Sequence, residues 1–236
     1  RARKRRKIFW TSFFLHIPRF FLIEYKEAGC AVKVCFVTEK SLNRYWQEDF
    51  GREVPDVLLF GFTGLGLVSY KRELSGETEY FRDVAGLSRE IGGVVVSGCD
   101  TDTYGVYRHS AVVADKGRIL GVSDATFSMD DSEFVAGGNL RVYDTSKGRI
   151  GVLVGEDLFY PEAAHTLALC DSELIVSVLK SRERMSEVMM RAAAFAEGVP
   201  VAQVAHKYAE IADIRGEIAF AGGFPGASAQ LKLQKD

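Results

Sequence analysis

The chain lacks most of the signals that name a chemistry at once. Its four cysteines, Cys30, Cys35, Cys99 and Cys170, sit in or beside apolar runs and never form a Cys-x-x-Cys pair. That spacing excludes a disulfide framework and a zinc site, and leaves buried thiols of a reducing compartment as the expectation. The histidines at 16, 109, 165 and 206 show no His-x-His or His-Glu-x-x-His spacing. No metal and no other cofactor is therefore expected, because a metal centre needs several convergent ligands. Neither sign of charge dominates: 30 Lys and Arg stand against 32 Asp and Glu, for a net charge of -2. Such a balance leaves no global footprint for nucleic acid. No run approaches the ~20 uninterrupted apolar residues of a membrane-spanning helix. There is neither an internal repeat nor a low-complexity linker.

What is present is an ordinary globular composition, 47% apolar and 26% charged over 236 residues. That is enough chain for one large domain with a real core. The first segment, residues 1–30, stands apart. A basic block, RARKRRK, precedes IFWTSFFLHIPRFFLIEY, which is interrupted by Thr11, Ser12, His16, Pro18 and Arg19. No small-x-small cleavage site follows, as a secretory signal would require. The segment is expected to be an amphipathic arm that covers the domain's own apolar surface. Peripheral contact of residues 1–25 with an anionic membrane is the other reading. A cytoplasmic protein, at most membrane-peripheral, is the corresponding expectation.

From residue 31 to 236 short apolar runs alternate with helical stretches, the pattern of an α/β layer fold in one domain. Strands are expected at 31–37, 57–60, 93–98, 174–178 and 199–204, and helices at 42–50, 79–91, 161–170 and 184–198. Hairpins are expected at 110–114 with 119–122 around Asp115-Lys116-Gly117, at 140–143 with 150–154, and at 210–213 with 217–221.

Residues 148–162, GRIGVLVGEDLFYPE, resemble the nucleophile segment of the nitrilase, or carbon–nitrogen hydrolase, superfamily. Its turn and strand are matched by Gly148, Arg149, Ile150 and Gly151, and its later positions by Asp157 and Tyr160-Pro161-Glu162. Further stretches are similar to other family motifs: YRHSAVVADKGRILG at 107–121, RAAAFAEGVPVAQV at 191–204 and IADIRGEIAFA at 211–221. The resemblance implies a four-layer α-β-β-α sandwich, an active site at the strand ends, and pairing into dimers or larger assemblies.

The same resemblance implies a Cys nucleophile, a Glu base and a Lys, since a thiol needs a base and a tetrahedral oxyanion needs a donor. The matching positions hold Gly155, Phe62 and Ala125. None can attack, accept a proton or donate one. The expectation is therefore a pseudoenzyme with no catalytic residue, serving as a binding or assembly partner. The candidate ligand contacts are Phe62, Tyr107, Asp124, Glu156 and Asp157, around a small molecule in the vestigial pocket. The alternative is an active amidase-like enzyme that cleaves a non-peptide C–N bond through a rearranged site.

Several residues keep a plainer reading beside the functional one. Asp157 matches a position the family retains and is expected to cap a helix. His109, Asp100 and Asp102 fall near the expected rim, where isolated side chains are more often structural. Cys99 and Cys170 have no base nearby in sequence, which argues against a substitute nucleophile. A homodimer is expected through 161–170 and 184–195, where Ala163, Ala164, Leu167 and Ala168, and Met185, Met189 and Met190, offer small or adaptable faces.

Overall fold

The computed structural model describes residues 20–21, 31–48, 54–127, 133–222 and 227–232. Elements are numbered along the chain. The first sheet holds β1 (Phe20–Phe21), β2 (Ala31–Val37), β3 (Val57–Phe60), β4 (Leu67–Ser69), β5 (Val94–Thr103), β6 (Val106–Asp115), β7 (Arg118–Asp124) and β14 (Ala227–Lys232). Its order is β1-β14-β2-β3-β5-β6-β7, with β4 beside β5. The second sheet holds β8 (Arg141–Thr145), β9 (Gly148–Val154), β10 (Leu174–Val178), β11 (Val201–Ala205), β12 (Tyr208–Ala212) and β13 (Ile218–Gly222), in the order β13-β12-β11-β10-β9-β8. The helices are α1 (Leu42–Glu48), α2 (Tyr70–Ser75), α3 (Tyr80–Ile91), α4 (Pro161–Leu169) and α5 (Ser186–Glu197).

Each sheet is mixed, with parallel strands at its centre and antiparallel pairs flanking them. β2, β3 and β5 run parallel, as do β9, β10 and β11. Central parallel strands are covered on both faces, so they carry unbroken apolar runs. VLLF of β3 and LIVSV of β10 are buried at every position. Alternate side chains then divide the core. Phe36, Leu59, Val96 and Val113 of the first sheet meet Val152, Val176, Val204 and Ile211 of the second. The opposite face of the first sheet, with Leu58, Phe60 and Val95, packs on α1 and α3. The opposite face of the second, with Leu153, Ile175 and Val201, packs on α4 and α5. The result is the four-layer helix–sheet–sheet–helix arrangement, with helices on the outer faces.

Helix α5 shows why these helices settle as they do. Ser186, Met190 and Ala194 repeat every four residues and are the buried stripe. That spacing places one row of a 3.6-residue helix against the sheet. Val188 and Phe195, off that row, are exposed.

Four differences from the sequence reading have physical causes. β4 and α2 were not expected; β4 buries only Val68 and α2 buries nothing, so neither leaves an apolar rhythm to read. β14 pairs antiparallel with β2 and parallel with β1, which joins two distant ends of the chain. The arm at residues 1–30 lies outside the described residues except for Phe20–Phe21, and these two are extended rather than helical. Cys170 is exposed, contrary to the expectation of four buried thiols, because it caps the end of α4 rather than facing the sheet. Cys99 is buried, Cys35 is half-buried, and Cys30 lies outside the described residues.

Candidate functional site

The site forms where β9 stops. Val154 ends the strand and Gly155 opens a single 3-10 turn, Gly155–Phe159, with φ +59°. That left-handed backbone suits a residue without Cβ. Asp157, fully buried two residues later, fixes the neighbourhood. Its Oδ1 accepts the backbone N–H groups of Thr126 and Phe127, each at 2.8 Å. Its Oδ2 accepts the N–H of Val154 at 3.2 Å. Burial pushes the Asp157 carboxyl up to about 6, against the pull of those three N–H donors. The clamp carries the residues after β7 onto the elbow. Apart from its chain neighbours, a Cβ on Gly155 would meet, among the described residues and within 4 Å, only the Cβ of Ala125, 3.8 Å away.

Beside this pair lies a cavity of about 220 Å³. Its walls include Phe127, Phe134, Phe159 and Leu179 together with Gly155 and Ala125. Its polar groups are His109, Glu156, Lys180, Ser181 and Glu183. An apolar chamber with a few convergent polar groups is the usual form of a small-molecule site.

One wall is a closed cluster drawn from four segments. The imidazole of His109 stacks on Phe134 with ring centroids 3.8 Å apart. His109 Nδ1 lies 2.7 Å from Asp100 Oδ1. Lys180 Nζ lies 3.3 Å from Asp100 Oδ2 and 4.5 Å from the centre of the Phe134 ring. Asp100 and His109 face each other across β5 and β6, where they are register partners. The carboxylate thus orients both a base and a cation, while Phe134 is held between them.

The candidate residues fall in different places. Gly155, Ala125 and Glu156 line the cavity. Phe62 is not among the lining residues; it is partly buried against the inter-sheet core and meets the edge of His109 at 5.7 Å. The two sheets come very close there, for a Cβ on Gly98 would stand 2.6 Å from Val178 and 3.0 Å from the Phe62 nitrogen. Asp124 accepts from Ser110 Oγ at 2.7 Å and stands 3.8 Å from Arg108 Nε. Tyr107 is exposed and its carbonyl accepts from Val135 N–H at 2.8 Å. Neither Tyr107, Asp124 nor Asp157 is a lining residue. Asp157 acts as the clamp, and Asp102 accepts the Gly105 N–H at 2.7 Å in the β5–β6 turn.

Neither Cys99 nor Cys170 lines the cavity. Burial also raises the Cys99 thiol well above its ordinary range, which removes it as a nucleophile at neutral pH. Among the described residues no group of three or more His, Cys, Asp or Glu side chains is placed to hold a metal ion. Lys180, Phe134, Phe127, Phe159 and Glu183 are lining residues that the sequence reading did not single out. A signal existed for Lys180 alone. It follows the apolar run of β10 closely, and ligands in parallel sheets gather beyond the carboxyl ends of the strands.

Comparison with known proteins adds a frame to this geometry. The family model described as carbon-nitrogen hydrolase matches residues 72–223. A probable nitrilase of Schizosaccharomyces pombe is 21% identical over 156 residues, an alignment that takes in 62% of this chain and 57% of that protein. The chain therefore spans little more than half the length of that relative. A carbon-nitrogen hydrolase from Helicobacter pylori superposes with a TM-score of 0.67 at 16% identity, over 85% of this chain and 89% of that one. A double mutant of the amidase from Nesterenkonia sp. AN1, in complex with acrylamide, gives 0.70 at 15% identity, over 90% and 94%. At such identities the superpositions establish the fold alone.

Proposed function

This chain belongs to the carbon–nitrogen hydrolase family, and we propose that it is a member that has lost hydrolysis and keeps a small-molecule pocket. One observation carries the reading: a Cβ built on Gly155 would stand 3.8 Å from the Cβ of Ala125, and neither position carries a thiol or an amine. Loss of a nucleophile alone typically lowers a rate by ~10⁴-fold or more. The cavity beside the pair nevertheless persists, with aromatic walls and opposed charges.

One feature supports an assembly role. Leu169 of α4 and Val188 and Phe195 of α5 are exposed on the outside of the second helical layer. Apolar side chains left in water on two neighbouring helices suit a symmetric dimer contact. Free thiols at Cys35, Cys99 and Cys170 accord with a reducing, cytoplasmic location. Among the described residues no helix is long and apolar enough to cross a membrane.

Native mass spectrometry of freshly purified protein is the direct test of the pocket, paired with assays on amides, nitriles and carbamoyl compounds. A bound small molecule with no turnover is the expected result. Turnover that survives repeated purification and vanishes in one point variant overturns the proposal. The 2.7 Å contact between His109 and Asp100, with Ser181 on the same cavity, favours one competing reading. There the protein is an amidase-like enzyme on a non-peptide C–N bond, with His109 as base and the Ser181 hydroxyl as nucleophile. That reading requires turnover abolished by both His109→Ala and Ser181→Ala.

A further inference from the structure

Four cavity residues, Leu179, Lys180, Ser181 and Glu183, come from the one segment between β10 and α5. Arg182, in their midst, is not a lining residue and reaches toward the sheet. Its guanidinium carbon lies 3.9 Å from the centre of the Tyr208 ring. Its Nη2 lies 3.4 Å from Glu210 Oε1 and 3.1 Å from Glu187 Oε2. Arg182 is 42% exposed, whereas Glu210 is 1% exposed.

Glu210 belongs to a buried polar row. Ser177, Gln203 and Glu210 are register partners on β10, β11 and β12. By strand alternation they share a face with Ile175, Val201 and Ala212, which pack on α5. Ser177 Oγ, both amide atoms of Gln203 and Glu210 Oε2 are buried with no protein hydrogen-bond partner among the described residues. A purely structural sheet face would carry apolar side chains there, since each unmatched polar atom is costly.

We propose that Arg182 is a strap that holds the cavity segment, residues 179–185, down on the second sheet, with Glu210 as its buried anchor. The strap goes beyond the loss of hydrolysis and does not depend on it. Its charged surroundings are few. Arg182 approaches Glu210 from the segment, and Glu187 and Arg191 approach from α5, themselves 3.7 Å apart. Tyr208 belongs to the anchor's own strand, and the neighbours on β10 and β11 are the uncharged Ser177 and Gln203. Burial, with Glu187 adding to it, pushes the Glu210 carboxyl up to about 7 against the pull of Arg182 and Arg191. A proton on Glu210 removes the charge that Arg182 meets. The strap is therefore tight on the alkaline side of neutrality and loose on the acid side.

Hydrogen exchange on the full chain tests this at two backbone amides, one inside the segment and one at the first residue of α5. Glu183 N–H donates to Ser186 Oγ at 3.0 Å, and Ser186 N–H to Glu183 O at 3.1 Å. Glu210→Gln and Arg182→Gln should each speed their exchange at pH 8.5 by on the order of tenfold, the usual effect of losing one charge-assisted contact, after correction for intrinsic rates. Amides of β10 to β12 should keep their protection. The unaltered protein at pH 6 should resemble Glu210→Gln, and Glu210→Gln should change little between the two conditions. Equal protection in the unaltered protein and Arg182→Gln at pH 8.5 overturns the strap. A pH response that persists in Glu210→Gln overturns Glu210 as its anchor. Arg182 is half-exposed, so its variant stays readable even if Glu210→Gln fails to fold.

Discussion

A Cβ placed on Gly155 would stand 3.8 Å from the Cβ of Ala125, and apart from its chain neighbours nothing else among the described residues would lie within 4 Å. Two positions 30 residues apart in the chain thus share one small space. Asp157 makes them neighbours, by holding Val154 on one side and Thr126 and Phe127 on the other.

Gly155→Cys should fold, at a cost of about 1 kcal/mol for a side chain at positive φ. Its thiol should alkylate with the ordinary profile of a free cysteine, near pH 8.5. Adding Ala125→Lys should shift that profile down by about one pH unit or more, because an opposite charge within ~5 Å favours the thiolate. Neither variant should hydrolyse amides, since position 62 still holds Phe62 in place of a carboxylate base. An unshifted alkylation profile in the double variant would show that the two positions do not face each other in solution.

Asp157 makes stability depend on pH in a defined direction. Burial raises its carboxyl from the ordinary range of an aspartate to about 6, so the folded state holds the proton more tightly than the unfolded chain. The contribution is fully present below about pH 4 and is lost as pH rises through 6. Asp157→Asn can still accept from Thr126 and Phe127 but cannot accept from Val154. It should therefore destabilise by about 1–2 kcal/mol at pH 5, with a smaller deficit at pH 8. Chemical denaturation at both pH values measures it, and a deficit that widens with pH contradicts the reasoning.

Ala125 lines the cavity and is almost fully buried. Ala125→Phe should fill that space and expel a bound small molecule, while costing roughly 1–3 kcal/mol from overpacking. Native mass spectrometry of both proteins reads the result. Retention of the same ligand by the variant would move the binding site elsewhere.

The helix layer should carry a dimer contact. Phe195 and Leu169 are 69% and 72% exposed. The double variant Phe195→Glu with Leu169→Glu should be monomeric where the unaltered protein is a dimer, since charge at an apolar contact is strongly disfavoured. Light scattering over a dilution series decides it. An unaltered protein that is monomeric at tens of micromolar would remove the proposal, and a dimer that survives deletion of residues 1–25 would assign the contact to the helices.

Much of this architecture was legible before any coordinates. Strands at 31–37, 57–60 and 174–178 coincide with β2, β3 and β10 to the residue. Each is a short, mostly apolar run bounded by polar or turn residues, broken only by Lys33 in β2 and Ser177 in β10, as a central strand between covered faces requires. The hairpin around Asp115, Lys116 and Gly117 was equally plain, because Lys116 and Gly117 take φ of 46° and 88°. That turn chemistry is local. Elements that bury little, such as β4 and α2, left no pattern, and β14 becomes a strand through pairing with β2 at the other end of the chain.

By itself the sequence determined the apolar strands, the turns and the order of the elements, since periodicity and turn chemistry act over a few residues, while the four layers and the choice of positions 62, 125 and 155 rested on its resemblance to the carbon–nitrogen hydrolases. Tertiary structure alone decided what surrounds those positions. It set Phe62 against the inter-sheet core with its ring edge-to-face with His109, where Gly98 allows the two sheets to close on each other. It gathered Asp100, His109, Phe134 and Lys180 into one wall from four separate segments. It also set Arg182 over Glu210 beneath α5. Such contacts depend on how sheets register and pack across long loops, and side-chain periodicity carries no information about which distant strand end a given residue will meet.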